Sequence, residues 1–389
     1  MHHIKTGARS LERNNRETSL PTDKWLARLT DLPTPALVLD AARVRCNLER
    51  LARYGAQHHL GIRPHTKTHK SRLLASMQLR AGAVGLAMAK VGELEEMAQV
   101  GDDLLLAFPA LDPARTARLA QLACTRTVRV AIDDVRAVEA LASAANAAGS
   151  TIGLLVDLDI GLGRTGVATP QDAVALAQVI QRTRGVRLDG LFCYPGHIWA
   201  PAAHQGPPLH AVQARLSQTL DLFRNKGLEA KIVSGGSTPT AYQSHLVPAY
   251  TEIRPGTYIF NDMNTVYGGY CELEDCAARI LCTVISVAVS GQVVLDGGSK
   301  TFTSDSCIPN QESGHGLVLG YPEAKITKLS EEHAQVNVAA CSRRPQLGER
   351  IAVVPNHICP CINLQDSVWW LEEDGRVERL TVDARGKLS

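Results

Sequence analysis

From Thr34 onward, short runs of aliphatic residues alternate with amphipathic stretches of helical period. This alternation is typical of a parallel sheet, because each strand needs a crossover helix before the next parallel strand can begin. Helix starts recur between the runs, as at Asp112-Pro113 and Thr169-Pro170, where a capping side chain precedes a proline. The predicted strands are 35–39, 61–65, 84–88, 104–108, 128–132, 152–158, 186–193, 230–233 and 252–260.

Nine predicted strands are one more than the eight that close a (β/α)8 barrel, so one of them must lie elsewhere. After about residue 277 the pattern changes, since the runs 280–289 and 293–295 have no long helical stretch between them. The sequence therefore predicts an α/β protein with a (β/α)8 TIM-type barrel and a C-terminal antiparallel β domain. We place the barrel at residues 32–270 and the β domain at 271–389, after a flexible N-terminal extension at 1–31.

Composition excludes several classes of protein. Of the 389 residues, 45% are hydrophobic and 21% are charged, which is typical of a globular protein and not of a disordered one. The 41 basic residues are scattered and give a net charge of only +2, so we expect no nucleic-acid partner. No signal peptide, long apolar run or disulfide framework is recognisable, which predicts a soluble, cytoplasmic protein with reduced cysteines and no membrane partner.

Lys67 lies just past the predicted strand 61–65, in a segment crowded with titratable groups. The active sites of such barrels lie on the loops that follow the carboxyl ends of the strands. A partly desolvated lysine beside other cations has a lowered pKa and can form a Schiff base with an aldehyde cofactor. A solvated basic loop is the alternative for Lys67 on its own.

Two glycine-rich turns follow later strands. In the segment 159–166, three glycines allow a ligand to approach closely and Arg164 offers a fork of donors, with an ordinary glycine turn as the alternative. In the segment 234–240, glycines, hydroxyls and backbone N–H groups suit a phosphate. Together with Lys67, these turns predict a barrel that binds a phosphorylated aldehyde.

A possible metal site lies near the C-terminus, in the segment 353–361. In an extended chain, residues two apart point to the same face, so His357 and Cys359 could hold one metal ion with an imidazole and a thiolate. A buried histidine beside a core cysteine is the alternative for this pair on its own. Cys361 shares the face by the same alternation, but Pro360 can turn the chain away.

Five motifs occur in a fixed order from about residue 32 to the C-terminus. They are Thr34-Pro35-Ala36-Leu37-Val38-Leu39-Asp40, Arg63-Pro64-His65-Thr66-Lys67, Gly163-Arg164-Thr165-Gly166, Ser234-Gly235-Gly236-Ser237-Thr238-Pro239 and Arg254-Pro255-Gly256-Thr257-Tyr258. In this order they resemble the D-serine dehydratase and D-threonine aldolase family, pyridoxal 5′-phosphate enzymes of fold type III that are related to alanine racemase. The resemblance implies that the strand 35–39 joins the C-terminal β domain and that the barrel starts at the strand before Lys67.

The resemblance also assigns roles around the cofactor. Lys67 would carry pyridoxal 5′-phosphate as the catalytic lysine, Arg164 would face the phenolic oxygen of the cofactor, and Tyr194 would line it. The phosphate would be held after the last two barrel strands. The residues implied for the phosphate are Gly236, Ser237, Thr238, Gly256 and Thr257.

Members of this family carry a divalent metal at the position of His357 and Cys359, so the resemblance implies a metal site there. Aldolase members typically have His-x-Asp at this position and dehydratase members have His-x-Cys. A soft thiolate favours Zn²⁺, with another divalent metal as the alternative. The segment Glu331-Glu332-His333 is a candidate to support the metal or a metal-bound water, or is a solvated charged turn.

The resemblance predicts a lyase that uses pyridoxal 5′-phosphate and zinc to eliminate water and ammonia from a D-3-hydroxy amino acid. Alternatives are a D-threonine or 3-hydroxy-D-amino acid aldolase, an amino-acid racemase, and a non-catalytic pyridoxal phosphate carrier, which would need no His-x-Cys domain. Phe192 and Trp199 stand where eukaryotic D-serine dehydratases have tyrosines, so the substrate pocket differs. Relatives complete the site with a partner's β domain, which implies a homodimer.

Overall fold

The computed structural model describes residues 25–389, which form two connected units. The first strand, β1, is followed by eight parallel strands in the order β2-β9-β8-β7-β6-β5-β4-β3, and a bridge between His65 and Ala87 brings the two edges of this sheet together as a barrel. The strands are β1 (Ala36–Asp40), β2 (Gly61–Ile62), β3 (Leu86–Met88), β4 (Asp103–Leu106), β5 (Thr127–Ile132), β6 (Ile152–Asp157), β7 (Val186–Phe192), β8 (Ile232–Gly235) and β9 (Glu252–Ile253).

Helices alternate with these strands and surround the barrel. Asp40, Asp112 and Thr169 each accept a hydrogen bond from a backbone N–H in the first turn of the helix that follows. The helix starts predicted at Asp112 and Thr169 are therefore confirmed. The helices are α1 (Ala41–Gln57), α2 (Arg72–Arg80), α3 (Val91–Met97), α4 (Pro113–Leu122), α5 (Val135–Ala148), α6 (Pro170–Arg182) and α7 (Gly206–Asn225).

The C-terminal unit is a mostly antiparallel sheet. Its elements are α8 (Met263–Tyr267), β10 (Ala278–Ser286), β11 (Gln292–Leu295), α9 (Ser299–Phe302), β12 (Leu317–Val318), β13 (Lys325–Leu329), β14 (Ala334–Asn337), β15 (Arg350–Val354), α10 (Ile358–Asn363), β16 (Ser367–Leu371) and β17 (Val377–Thr381). The order β11-β14-β13-β12-β15-β10 closes on itself through pairing of β10 with β11. β1 lies in this sheet, antiparallel to β10 and parallel to β16.

The predicted fold class, a barrel with a C-terminal antiparallel β domain, is confirmed. The last barrel strand is shorter than predicted, since β9 ends at Ile253 and not at residue 260. Pro255 has no N–H to donate to a sheet, and a 3-10 turn at Thr257–Ile259 follows it. The exact domain boundaries at 270 and 271 stay a prediction.

The predicted flexible extension does not hold for its described part, residues 25–31. Trp25 and Leu29 are buried in an apolar cluster with residues of the C-terminal sheet. The Arg350 guanidinium also donates to the carbonyl oxygen of Leu32 at 2.6 Å. Residues 1–24, the remainder of the predicted extension, lie outside the described residues.

All ten cysteines lie within the described residues and are free thiols, as the sequence predicts. In residues 25–389, none of the helices has both the length and the apolar character that a membrane span requires.

A buried network of charged groups crosses the interior of the barrel. The Nε of Arg63 lies 2.8 Å from Oε1 of Glu252, and both side chains are almost completely buried. Arg63 Nη1 also lies 2.6 Å from a carboxylate oxygen of Asp103. Arg129 in turn joins Asp103 to Asp189, so the charges alternate around the barrel. Such a network is stable only when every member keeps its partner.

We expect Arg63→Met to lower the free energy of unfolding by about 3–5 kcal/mol, because the substitution leaves Glu252 buried without its cation. Urea unfolding followed by circular dichroism measures the change. Arg224→Met is the matched control, since Arg224 and Asp221 form an exposed ion pair whose loss should cost less than about 1 kcal/mol. Equal losses in the two variants would contradict the importance of the buried network.

Candidate active site

Two adjoining cavities open at the carboxyl ends of the barrel strands, where the chemistry of such barrels is found. Their volumes are about 200 and 350 Å³. His65, Lys67, Tyr194 and Arg254 line both cavities. The side chains predicted from separate motifs therefore meet in one place.

Lys67 lies in a single 3-10 turn, Thr66–Thr68, directly after the loop that follows β2. The backbone N–H of Lys67 donates to Nδ1 of His65 at 3.3 Å, and this fixes the start of the turn. Thr66 and Thr68 are buried, whereas Lys67 is exposed because it projects into the cavities. The expectation that the Lys67 side chain is partly desolvated is therefore wrong.

The groups around Lys67 are strongly affected by burial. Burial lowers the pKa of His65 well below its usual value, and the positive charges of Lys67 and Arg254 lower it further, so the imidazole is neutral at pH 7. The Arg254 guanidinium donates to Ser234 Oγ at 2.6 Å and to the Cys193 carbonyl at 2.7 Å. This anchors Arg254 in the wall that the two cavities share.

Arg164 and Tyr194 lie side by side in the larger cavity. The guanidinium carbon of Arg164 is 4.9 Å from the centre of the Tyr194 ring, as in a cation–π contact. Below Arg164, Asp157 accepts a hydrogen bond from Thr165 Oγ1 at 2.8 Å. Burial raises the pKa of Asp157 to about 6. The structure thus brings Arg164 and Tyr194 into one cavity with Lys67, as the resemblance implies.

The predicted phosphate residues border the smaller cavity. Ser237, Thr238, Gly256 and Thr257 all line it, and Thr238 Oγ1 accepts a hydrogen bond from the Gly256 N–H at 3.2 Å. Gly236 turns the chain there with a φ of +72°, which a side chain would strain.

Ser234, the first residue of the segment 234–240, does not line the cavity. Its hydroxyl donates to Glu252 inside the barrel at 2.6 Å.

Two loops of the barrel approach each other closely at Gly256. A Cβ at Gly256 would lie 2.8 Å from Thr68 Oγ1 and 3.0 Å from the His65 carbonyl oxygen. Only glycine lets the two loops lie this close. Lys67 shares the smaller cavity with the hydroxyls and N–H groups of this turn and the larger cavity with Arg164. An amine beside anion-binding groups fits a phosphorylated aldehyde.

His357 and Cys359 lie together at the rim of the smaller cavity. They do not lie on an extended strand as predicted, because helix α10 begins at Ile358 with His357 at its N-cap. Cys359 in the first turn reaches across to the barrel, where its Sγ is 3.3 Å from Thr68 Oγ1 and 3.5 Å from Thr257 Oγ1. Cys359 therefore contacts Thr68, the residue that follows Lys67 in the sequence.

Charge pairing holds these two side chains together. Burial disfavours a charged His357, but its hydrogen bond to Cys359 and the nearby acids outweigh burial and raise the pKa of His357 to about 9. Burial likewise disfavours the thiolate, yet His357, Thr257 and Thr68 lower the pKa of Cys359 below its usual value. Asp305 lies on the other side, with Oδ2 2.7 Å from His357 Nδ1.

The donor set fits a metal ion that keeps open coordination positions. Bonding of Nδ1 to Asp305 leaves Nε2 of His357 as the ring nitrogen for a metal, an arrangement common among histidine ligands. Within residues 25–389, no group of three or more His, Cys, Asp and Glu side chains could hold a metal ion together. A metal at this pair would therefore leave positions for substrate or water.

The other residues considered near the metal lie elsewhere. Cys361 is buried, and its Sγ is 3.2 Å from the Phe302 carbonyl oxygen. Glu331 and Glu332 pair with Lys300 on the surface, so this segment is the solvated charged turn and gives no support to the pair.

Sequence reasoning missed several residues of the site. His65 and Arg254 belong to recognised motifs but had no assigned role. Asp305 supports His357 from 52 positions earlier in the chain, and no local pattern marks it. Asp262 accepts a hydrogen bond from the Ile358 N–H at 3.1 Å, again across a long separation in sequence. Such contacts follow only from the packing of the two units.

Comparison with known proteins identifies both units. The family model described as "Alanine racemase, N-terminal domain" matches residues 39–264, and the one described as "Putative serine dehydratase domain" matches residues 277–371. D-threonine aldolase from Arthrobacter sp. is 31% identical over 92% of this chain and 94% of its own. D-threo-3-hydroxyaspartate dehydratase from Delftia sp. is 30% identical over 85% of this chain and 92% of its own.

Solved structures of the same kinds of enzyme have a fold similar to that of this chain. The crystal structure of D-threonine aldolase from Filomicrobium marinum superposes with a TM-score of 0.85 at 30% identity, covering 92% of this chain and 97% of that one. A cysteine-to-alanine mutant of D-threo-3-hydroxyaspartate dehydratase was solved in the metal-free form, with a TM-score of 0.84 at 28% identity over 91% of this chain and 98% of that one. By sequence and by fold, the chain belongs to the D-serine dehydratase and D-threonine aldolase family.

Proposed function

We propose that this protein is a homodimeric lyase that uses pyridoxal 5′-phosphate and Zn²⁺ to eliminate water and ammonia from a D-3-hydroxy amino acid. The observation that carries the proposal is the contact between Cys359 Sγ and Thr68 Oγ1 at 3.3 Å, which places the His357–Cys359 pair beside Lys67. A racemase or a cofactor carrier has no use for such a pair next to the amine.

The residues that would hold the cofactor are Lys67, Arg164 and the phosphate-binding turn. Tyr194 would line it, and Ser237, Thr238, Gly256 and Thr257 would hold its phosphate through hydroxyl and backbone N–H groups. When bound, pyridoxal 5′-phosphate supplies a ring that accepts the negative charge left at Cα of the substrate.

Lys67 is the base that the geometry favours for the α-proton. Its Nζ is the primary amine in the cavities, and neutral His65 beneath it adds no further positive charge. Lys70 is unsuitable, because its Nζ lies 2.8 Å from Glu93 in a buried ion pair. The amine of Lys67 can thus take a proton from a substrate at the junction of the cavities.

His357 and Cys359 would hold the metal at the rim of the same cavity. A thiolate and an imidazole are ligands that suit Zn²⁺ better than Mg²⁺ or Mn²⁺. When bound, Zn²⁺ acts as a Lewis acid that stabilises the charge on a departing hydroxyl group. Proton removal alone could equally end in racemisation, so the pair is what favours elimination.

Aldol cleavage is the second candidate, because D-threonine aldolase from Arthrobacter sp. is 31% identical over 92% of this chain. Cys359 favours elimination, since dehydratase members resemble this chain in having His-x-Cys. Incubation with D-serine, D-threonine and 3-hydroxy-D-aspartate decides between them. Ammonia with a 2-oxo acid supports elimination, whereas glycine with an aldehyde would replace it with aldol cleavage.

We expect Lys67→Ala to abolish activity and the violet absorbance of the bound cofactor, because no other described amine lines the cavities. Borohydride treatment followed by peptide mapping should place the cofactor label on Lys67. A label on Lys70 would contradict the assignment, and Lys70→Arg serves as the control because it keeps the charge beside Glu93.

We expect Gly256→Ala to weaken cofactor binding at least tenfold, because the added Cβ would force Gly256 away from Thr68 and His65. Fluorescence titration of the cofactor-free protein with pyridoxal 5′-phosphate measures the dissociation constant. Gly206→Ala is the matched control, since a Cβ at Gly206 meets no atom within 4 Å. Similar dissociation constants for the two variants would rule out the phosphate site.

We expect chelator-treated protein to keep its cofactor absorbance and lose elimination, with Zn²⁺ restoring the activity. Cys359→Ala should behave like the chelated protein, because it removes the thiolate ligand. Elemental analysis of bound zinc, together with 2-oxo acid formation, checks both statements. Elimination at the full rate by metal-free protein would leave His357 and Cys359 as a core pair without a metal.

A further inference from the structure

Resting on the proposed function, we infer that the substrate of this lyase carries an uncharged, largely apolar group on Cβ, such as a methyl or aryl group, and not a second carboxylate. The relatives differ in this respect, since one is named for D-threonine and another for D-threo-3-hydroxyaspartate. The walls of the smaller cavity decide between these classes.

The wall next to the His357–Cys359 pair presents apolar side chains. Trp199 and Ile308 line the same cavity as the pair. The Ile308 N–H donates to Asn264 Oδ1 at 2.7 Å, and Asp305, three residues earlier, bonds the His357 ring, so the segment that carries Ile308 is anchored at both points. A substrate whose β-hydroxyl approaches the pair therefore turns its other β-substituent toward an apolar wall.

Two hydrogen bonds hold Trp199 in this wall. Its Nε1 donates to the Gly196 carbonyl oxygen at 3.0 Å, so the indole has no donor left for a substrate carboxylate. Its own carbonyl accepts a hydrogen bond from the Tyr270 hydroxyl at 2.6 Å. The ring of Trp199 can offer a substrate an apolar face only.

The polar residues of this wall already have partners. Asn264 Nδ2 donates to the Asn356 carbonyl at 2.8 Å, while its Oδ1 accepts from Ile308. Thr265 Oγ1 donates to the Asp262 carbonyl at 2.7 Å and accepts from the Asp262 N–H. These groups hold helix α8 in place and leave little capacity to bind a second carboxylate.

The cations that line the cavities are engaged elsewhere. Lys67 would carry the cofactor, Arg164 lies over Tyr194, and both Nη atoms of Arg254 donate to Ser234 and Cys193. Within residues 25–389, apart from His357 and the metal that its pair would hold for the substrate β-hydroxyl, these walls thus offer a second substrate carboxylate no unengaged cation. It would instead lie near the carboxyl group of Asp262, which lines the same cavity. A carboxylate desolvated without a partner binds poorly.

The first test compares kcat/KM of the holoenzyme for four substrates, measured as loss of substrate so that elimination and aldol cleavage count equally. We expect D-threonine and 3-phenyl-D-serine to exceed D-threo-3-hydroxyaspartate by at least 100-fold, with D-serine between them. A preference for D-threo-3-hydroxyaspartate would overturn the inference. If none of the four is consumed, the proposed function itself fails, which keeps the two failures distinct.

Binding alone provides a readout that does not depend on turnover. Titration of the cofactor absorbance with D-2-aminobutyrate and with D-aspartate gives dissociation constants for a neutral and a charged side chain on compounds that lack the β-hydroxyl. We expect D-2-aminobutyrate to bind at least tenfold more tightly. Equal or tighter binding of D-aspartate would show that a cation reaches the wall and would overturn the inference.

A variant tests the wall directly. Ile308 is 54% exposed, so Ile308→Arg should fold normally and place a cation opposite the β-substituent. We expect the ratio of kcat/KM for D-threo-3-hydroxyaspartate to that for D-threonine to rise at least tenfold. Ile308→Gln adds a polar chain without charge and should raise the ratio far less. Equal ratios in the two variants would show that the wall does not select against charge.

Discussion

The site depends on one buried carboxyl group at the junction of the two units. Asp262 accepts a hydrogen bond from the Thr265 N–H at 3.2 Å, which caps α8, and from the Ile358 N–H at 3.1 Å, which begins α10. Its neighbour Met263 donates to the Pro355 carbonyl at 3.1 Å. An unpaired buried polar group costs about 1–3 kcal/mol, so these bonds hold the loop of His357 in one position. Lys67 and the His357–Cys359 pair come from different units, and this junction sets their separation.

The barrel part of the site could be predicted from sequence because each of its residues lies next to a sequence pattern that marks a strand. Each functional residue follows a recognisable strand, and in a parallel barrel all strand ends of one kind face the same rim. Lys67, Arg164, Tyr194 and Thr238 therefore had to lie near one another once the strand pattern was recognised. Periodicity and capping residues specify such elements without reference to distant parts of the chain.

The parts that sequence could not predict depend on contacts between distant segments. Asp305 and His357 are 52 residues apart, and their contact exists only because the loops of the C-terminal sheet fold back on the barrel. Ser234 stands among glycines and hydroxyls of a phosphate-type turn, yet Glu252 and Arg254 draw it into the barrel interior. The alternation expected at His357 and Cys359 failed for a similar reason, since capping of α10 overrides an extended chain there.

His357 and Cys359 are held side by side by contacts of their own, apart from any metal. The imidazole of His357, with its pKa raised to about 9, and the thiol of Cys359, with its pKa lowered, share a proton across a hydrogen bond. A metal held by the pair, as proposed above, would have to displace the proton of the imidazole, so its affinity would fall as the pH falls through the pKa of His357. The hydrogen bond that the His357 ring makes to Asp305 also raises the pKa of the imidazole and so adds to this competition, while it keeps the ring in one orientation.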